Sequence, residues 1–238
     1  MGKPLITQRR GKGSPTFQAN HTRFKADAVY RSIPQGKTMK AQVVDLIDDP
    51  ARTVVLAKLL YEDGKEAYVP SAEGLSVGKI IHHGEEAKPE IGNILPLGKI
   101  PEGFPVFNVE VKPGKGGNLA RASGAVCLIM SKSEKEVVLR LPSKKVKSFD
   151  PRCFATIGNA SGGGRTKKPL LKAGNNYKRK KAKGQRYPTV RGVKMAAYEH
   201  PFGGKEHHGA KTKKGKGGSP GQHVGSFGAR RTGRRKRA

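Results

Sequence analysis

Apolar and polar residues alternate in short runs through the middle of the chain. M-K-A-Q-V-V-D-L-I (39–47) alternates and closes at D-D-P, and R-T-V-V-L-A-K-L-L-Y (52–61) is a second β-rich run. The turn E-D-G-K (62–65) leads into E-A-Y-V-P, so these runs predict a hairpin and a third strand. G-K-I-I-H-H-G (78–84) predicts a fourth strand and N-I-L-P-L (93–97) a fifth. Five short strands with turns across 37–97 predict a small closed barrel of the OB type.

A second β unit spans 98–160. F-P-V-F-N-V-E-V (104–111) predicts one strand, with Val106, Asn108 and Glu110 on one face and Phe107, Val109 and Val111 on the other. After K-P-G-K-G-G-N-L-A-R-A-S-G (112–124) come three more strand patterns, A-V-C-L-I-M, E-V-V-L-R-L-P and C-F-A-T-I-G. About five strands over this length suggest an SH3-like barrel. No long helix is predicted in 37–160, so the fold class is mainly β.

The flanks carry no such pattern. Residues 1–36 interleave basic residues with Phe17, Phe24 and Tyr30, which either stack on bases or pack on the adjoining domain. Of the 78 residues from Ser161 onward, 16 are Gly and only 11 are Val, Leu, Met, Phe or Tyr, too few apolar groups for an independent core. Fully extended, 161–238 reaches about 250 Å at roughly 3.3 Å per residue.

Charge sharpens this division. The chain carries 48 Lys and Arg against 18 acids, a net charge of +30. Residues 1–36 hold a surplus of six positive charges, 37–160 of three and 161–238 of 21. A nearly neutral middle therefore lies between two cationic arms. Self-repulsion of this size calls for a polyanion, and nucleic acid supplies the phosphates. A membrane surface would ask for an amphipathic basic helix, and none is visible. No apolar run approaches 18 residues and the N-terminus has no signal-peptide core, so a soluble intracellular protein is expected. Cys127 and Cys153 lie in apolar contexts and are expected to be buried small hydrophobes.

Tyr187–Gly204, Y-P-T-V-R-G-V-K-M-A-A-Y-E-H-P-F-G-G, is a stretch of higher complexity inside the basic tail. Gly192, Gly203 and Gly204 suggest close backbone approach to something bulky, and with so few apolar residues the segment is expected to be shaped by a partner. His200, with Glu199 and Arg191 nearby, resembles a general base, but no nucleophile is paired with it and no scaffold holds it. His200, Glu206, His207 and His208 do not have structural-zinc spacing, so no metal is assigned. His82 and His83 are read as surface or packing residues. P-G-K-G-G (113–117) lacks phosphate-loop spacing, and suits direct contact between backbone N–H groups and RNA phosphates, with Arg121 close by.

K-P-E-I-G-N-I-L-P-L (88–97), P-G-K-G-G-N-L-A-R-A-S-G (113–124), L-R-L-P-S (139–143), R-C-F-A-T-I-G (152–158) and P-T-V-R-G-V-K-M with E-H-P-F-G-G follow one another in this order. Together they resemble the universal large-subunit ribosomal protein number two family, and the Q-R-R-G-K-G-S-P-T-F start resembles its archaeal-type members. The resemblance implies a non-enzymatic structural constituent of the large ribosomal subunit, in the cytoplasmic ribosome. It implies an OB-type barrel and an SH3-like barrel on the RNA surface, with arms running inward and the C-terminal one nearing the peptidyl-transferase region. Implied partners are large-subunit ribosomal RNA, small-subunit RNA at the subunit interface and neighbouring ribosomal proteins, with no membrane. Implied roles are primary RNA binding and support of subunit association, tRNA binding and peptide-bond formation. No cofactor is expected beyond magnesium associated with the RNA. Where the family motif has Asn this chain has Ala196, so that side-chain contact is not carried over.

The expected organisation is thus a basic arm (1–36), an OB-type barrel (37–97), an SH3-like barrel (98–160) and a basic Gly-rich extension (161–238). The residues expected at RNA are Arg9, Arg10, Lys12 and Arg23 in the first arm and Lys112, Lys115, Gly116, Gly117 and Arg121 around the Gly-rich turn. In the extension they are Arg165, Lys178, Arg179, Lys180 and Arg186, then Arg191, Gly192, Lys194, His200, Gly203 and Gly204, and finally Arg230 and Arg231. No catalytic residue is assigned.

Overall fold

The computed structural model describes residues 3–34 and 36–204. The fold is mainly β: an OB-type barrel followed by an SH3-like barrel. The described residues fall into two units, one within residues 21–169 and the other of residues 3–20 with 170–204.

In residues 21–169 the first barrel is built from β1 (Thr38–Ile47), β2 (Leu56–Tyr61), β3 (Glu66–Pro70), β4 (Ile80–Gly84) and β5 (Ile94–Pro96). The alternation in β1 turns Ala41 and Val43 inward, and β1 pairs antiparallel with both β2 and β4. Its register slips between Val43 and Asp45, a bulge that leaves Val44 exposed. β2 starts four residues later than the 52–61 pattern suggests. Arg52 is committed instead to a turn, where it pairs with the buried Asp49 and donates to the Ala26 carbonyl. The core contains Leu59, Tyr61, Val69, Ile81, Ile94 and, from the segment before β1, Tyr30.

The second barrel comprises β6 (Pro105–Phe107), β7 (Val109–Glu110), β8 (Gly117–Leu119), β9 (Cys127–Lys132), β10 (Val137–Arg140), β11 (Val146–Phe149) and β12 (Phe154–Ile157). Its core gathers Val106, Val109, Ile129, Val137, Leu139 and both cysteines. Burial raises the thiol pKa of Cys127 and Cys153 to about 11, so each acts as a small apolar side chain.

Two features depart from the sequence pattern. The run 104–111 is not one strand, because Asn108 sits at φ 50° and splits it into β6 and β7. β6 pairs with β9 and β12, whereas β7 pairs with β8, so the chain changes partners at Asn108. Val106 to Glu110 are all buried, and the expected division into two faces is lost. The other feature is β5, which pairs with β4 and with β12. Its Ile94 enters the first core while Leu95 enters the second.

Residues 3–20 and 170–204 form the other described unit. It contains α1 (Ile6–Gly11), α2 (Ala173–Ala182) and single helical turns at Pro15–Phe17 and Gly192–Lys194. Neither α-helix buries a residue, so both lack the apolar stripe by which pattern reading finds helices. Arg9 and Arg10 end α1, and Arg179, Lys180 and Lys181 end α2, where cations favour the negative end of the helix dipole.

Candidate nucleic-acid interface

The Gly-rich loop after β7 is organised from within. Glu110 is buried, and its carboxylate accepts N–H bonds from Gly114 (3.2 Å), Gly116 (2.8 Å) and Phe154 (3.0 Å). The amides of Gly114 and Gly116, expected to reach RNA phosphates, are therefore bonded to the protein's own acid. A Cβ on Gly117 would overlap the Asn108 side chain, and one on Gly116 would come within 2.8 Å of Val29. Both glycines are buried and serve packing, so the charge this loop offers outward is that of Lys112 and Lys115, which are exposed. Sequence reasoning missed Glu110, although an acid at a strand end just before P-G-K-G-G was a usable signal.

Arg121 is half-buried and donates to the Ala28 carbonyl. Burial, together with the Arg52 charge, lowers its pKa below the usual guanidinium value. It fastens the segment before β1 rather than standing free at the surface. Tyr30 joins the same anchorage, its hydroxyl 2.6 Å from Thr156 Oγ1 in the interior. Of the three arm aromatics, Tyr30 packs in the core, Phe24 meets the His21 ring edge-on at 5.1 Å, and Phe17 is half-buried. Arg23 is exposed, as is Arg165, whose Nε donates to Ser123 Oγ at 3.0 Å. His83 is buried, accepting or donating at Tyr61 Oη (2.9 Å) and lying edge-on to Phe154. Desolvation, then the Arg31 charge, lowers its pKa to about 4, so it is neutral at physiological pH.

In the other unit, α1 carries the exposed Arg9 and Arg10, with the exposed Lys12 at its C-cap. α2 carries the exposed Lys178 and Arg179 and the half-buried Lys180, and Arg186 is exposed beyond it. From Arg191 the chain closes on itself through short turns. Lys194 N–H donates to Arg191 O (3.0 Å), Glu199 N–H to Ala196 O (3.0 Å), Gly203 N–H to His200 O (2.8 Å) and Gly204 N–H to Met195 O (3.1 Å). A Cβ on Gly192 would overlap the His200 ring, and one on Gly203 would overlap the Ala196 carbonyl. The bulky group these glycines admit is thus the loop's own chain, which corrects the expectation of close approach to a partner. Ala196 contributes through its carbonyl, so its departure from the family Asn leaves these turns intact. Arg191, Lys194 and Gly204 are exposed.

His200 is half-buried, and its Nδ1 accepts the Phe202 N–H at 3.1 Å. Lys3, which sequence reasoning did not single out, donates its N–H to Tyr198 O at 2.7 Å. Its Nζ lies 4.7 Å from the Tyr198 ring centre and 3.8 Å from Glu199. Arg230, Arg231, Glu206, His207 and His208 lie outside the described residues.

Of the ion pairs among the described residues, Lys3–Glu199 lies in the unit of residues 3–20 and 170–204 and the others do not. Arg31–Asp63, Arg52–Asp49, Lys58–Glu66 and Arg152–Asp150 all lie in residues 21–169. Among the described residues, Arg9, Arg10, Lys12, Lys178, Arg179, Arg186, Arg191 and Lys194 have no carboxylate within ion-pair distance. Such a set of exposed cations without carboxylate partners can bind a polyanion.

A family model for the RNA binding N-terminal domain of ribosomal proteins L2 matches residues 3–83, and one for their C-terminal domain matches residues 90–223. The chain belongs to the ribosomal protein L2 family. This L2 family member is 47% identical over 239 residues to large ribosomal subunit protein uL2 of Hyperthermus butylicus, which covers 100% of both chains. Against the uL2 of Methanothermobacter thermautotrophicus it is 43% identical over 241 residues, covering 99% of this chain and 100% of that one. Against the uL2 of Haloarcula marismortui it is 44% identical over 236 residues and 98% of each chain. These relatives are archaeal, in keeping with the archaeal-type start of the sequence.

Proposed function

We propose that this protein is a structural constituent of the large ribosomal subunit in the cytoplasmic ribosome, and that its arms bind ribosomal RNA. The observation that carries the reading is the placement of unpaired cations on the arms of a chain whose family model is RNA-binding. In this reading the β body sits against the RNA surface. The cations of both arms neutralise phosphates, and the folded loop 191–204 is a preformed plug that enters an RNA pocket. The C-terminal extension approaches the peptidyl-transferase region. Through it the protein supports tRNA binding and peptide-bond formation, while the β body meets small-subunit RNA and neighbouring ribosomal proteins at the subunit interface.

The protein is not an enzyme in this account. The geometry at His200 supports that view, because its Nδ1 is occupied by the Phe202 N–H at 3.1 Å and is not free to act as a base. Reconstituted large subunits carrying His200→Gln test it. Normal assembly with an unchanged chemical step is expected; normal assembly with loss of the chemical step overturns the structural role. Binding is tested by co-sedimentation of the full chain with large subunits in high salt. One copy per subunit is expected, and equal retention on unrelated RNAs contradicts the reading.

A further inference from the structure

We propose that the N-terminal arm and the C-terminal extension jointly build a pocket for one RNA nucleotide, with Arg9, Lys12 and Arg186 holding phosphate and Phe17 receiving the base. The proposal rests on the RNA-binding reading above and adds a site of defined chemistry to it. A cavity of about 580 Å³ lies between α1, the turn that follows it and Arg186. That volume is within the roughly 300–1,000 Å³ range of small-ligand sites.

Its wall is built locally. α1 presents Arg9, and the helix ends at Lys12. The chain then turns back through Ser14 and the Pro15–Phe17 helical turn, which places Ser14, Thr16 and Phe17 along the cavity. Two side chains brace this shape: Gln8 Oε1 accepts the Leu5 N–H at 2.8 Å, and Gln18 Nε2 donates to the Gly13 carbonyl. Arg186 arrives from the other arm because Gly184 lies directly on the backbone of residues 17–19. Gly184 has φ +63°, and a Cβ there would stand 2.5 Å from the Gln18 carbonyl carbon and 2.8 Å from the Phe17 oxygen. No residue with a side chain permits that crossing.

The lining selects its occupant. It contains three cations, two hydroxyls and one aromatic ring beside Pro4, with no acid. Among the described residues none of the three cations has a carboxylate partner, so their mutual repulsion calls for an anion. Guanidinium groups and hydroxyls match phosphate oxygens, and the half-buried Phe17 offers an apolar surface on which a base stacks. An acidic peptide would use the cations and leave Phe17 without a role, which separates the two occupants experimentally.

The test titrates the labelled full chain with purified large-subunit ribosomal RNA over a salt series. Phe17→Leu removes the ring and no charge, and is expected to weaken binding about tenfold with an unchanged salt slope. Arg9→Gln and Arg186→Gln are each expected to flatten the log–log slope, by roughly 0.7–0.9 together for the one phosphate they hold. Their double variant should lose less than the product of the single losses, because they share one phosphate. Gly184→Ala removes no charge and separates the arms, so it should weaken binding about as much as the double variant. Lys145→Gln, an exposed charge on the second barrel, is the control for general charge and should leave the slope near that of the wild type. Wild-type affinity in both Phe17→Leu and Gly184→Ala overturns the pocket. Charge variants that act while Phe17→Leu is silent identify a phosphate contact without base stacking and also overturn the nucleotide assignment. A wild-type chain that binds unrelated RNA equally well overturns the ribosomal reading instead. The variant series still decides the pocket in that case, because any RNA carries the phosphate and base it would hold.

Discussion

Acidification should destabilise the β body through one buried imidazole. His83 is fully buried in the first barrel, beside Tyr61 Oη and the ring of Phe154. Its pKa falls from 6.5 to about 4, first by desolvation and then by the Arg31 charge. A neutral base in the folded state and a free one in the unfolded state means that the unfolded chain takes up the extra proton. Stability is therefore full above about pH 6.5 and falls as pH drops toward 4. At about 1.4 kcal/mol per pKa unit the full loss is about 3 kcal/mol, of which about 2 kcal/mol is gone by pH 5. Urea unfolding of the full chain, followed by tyrosine fluorescence at pH 7, 6 and 5, reads this directly. His83→Gln retains a polar partner for Tyr61 and should flatten the slope over the same range. A wild-type stability independent of pH between 7 and 5, or an identical slope in His83→Gln, refutes the reasoning.

Other buried groups make equally specific predictions. Glu110→Ala leaves the N–H groups of Gly114, Gly116 and Phe154 without their acceptor and should cost about 3 kcal/mol by urea denaturation, with loss of order in the 112–117 loop by amide exchange. Arg52→Ala strands the buried Asp49 carboxylate and should cost about 3–5 kcal/mol, most of it recovered in the Arg52→Ala/Asp49→Asn double variant. Cys127 and Cys153, each with its thiol pKa near 11, should resist iodoacetamide at pH 8 in the native protein and both react in guanidinium, as mass spectrometry would show.

Strands such as β1 were legible in the sequence because one side packs on a core, which writes a period of two into the residues. Ala41 and Val43 against Lys40 and Gln42 show that writing at its clearest. Asn108 was misread because alternation carries no mark of a change in pairing partner: the residues on either side of it stay apolar while the backbone turns through φ 50°. α1 and α2 left no periodic trace, since neither buries a face. The cationic arms were legible from charge alone. What their glycines do was not, because close approach reads the same whether the neighbour is RNA or the protein's own chain. Gly192 faces His200, and Gly203 faces the Ala196 carbonyl. Glu110 was marked only by its place as an acid in a hydrophobic run just before P-G-K-G-G, and its partners are backbone amides.

The claim that the arms rather than the barrels hold the RNA is tested most directly by the salt dependence of binding to large-subunit ribosomal RNA. Neutralising Arg10, Lys178, Arg179 and Arg191 to Gln should flatten the log–log slope by about 3, at roughly 0.7–0.9 per phosphate contact. Neutralising the exposed barrel residues Lys40, Lys65, Lys135 and Lys145 should leave the slope near that of the wild type. An equal flattening by the barrel set, or none by the arm set, would contradict the account.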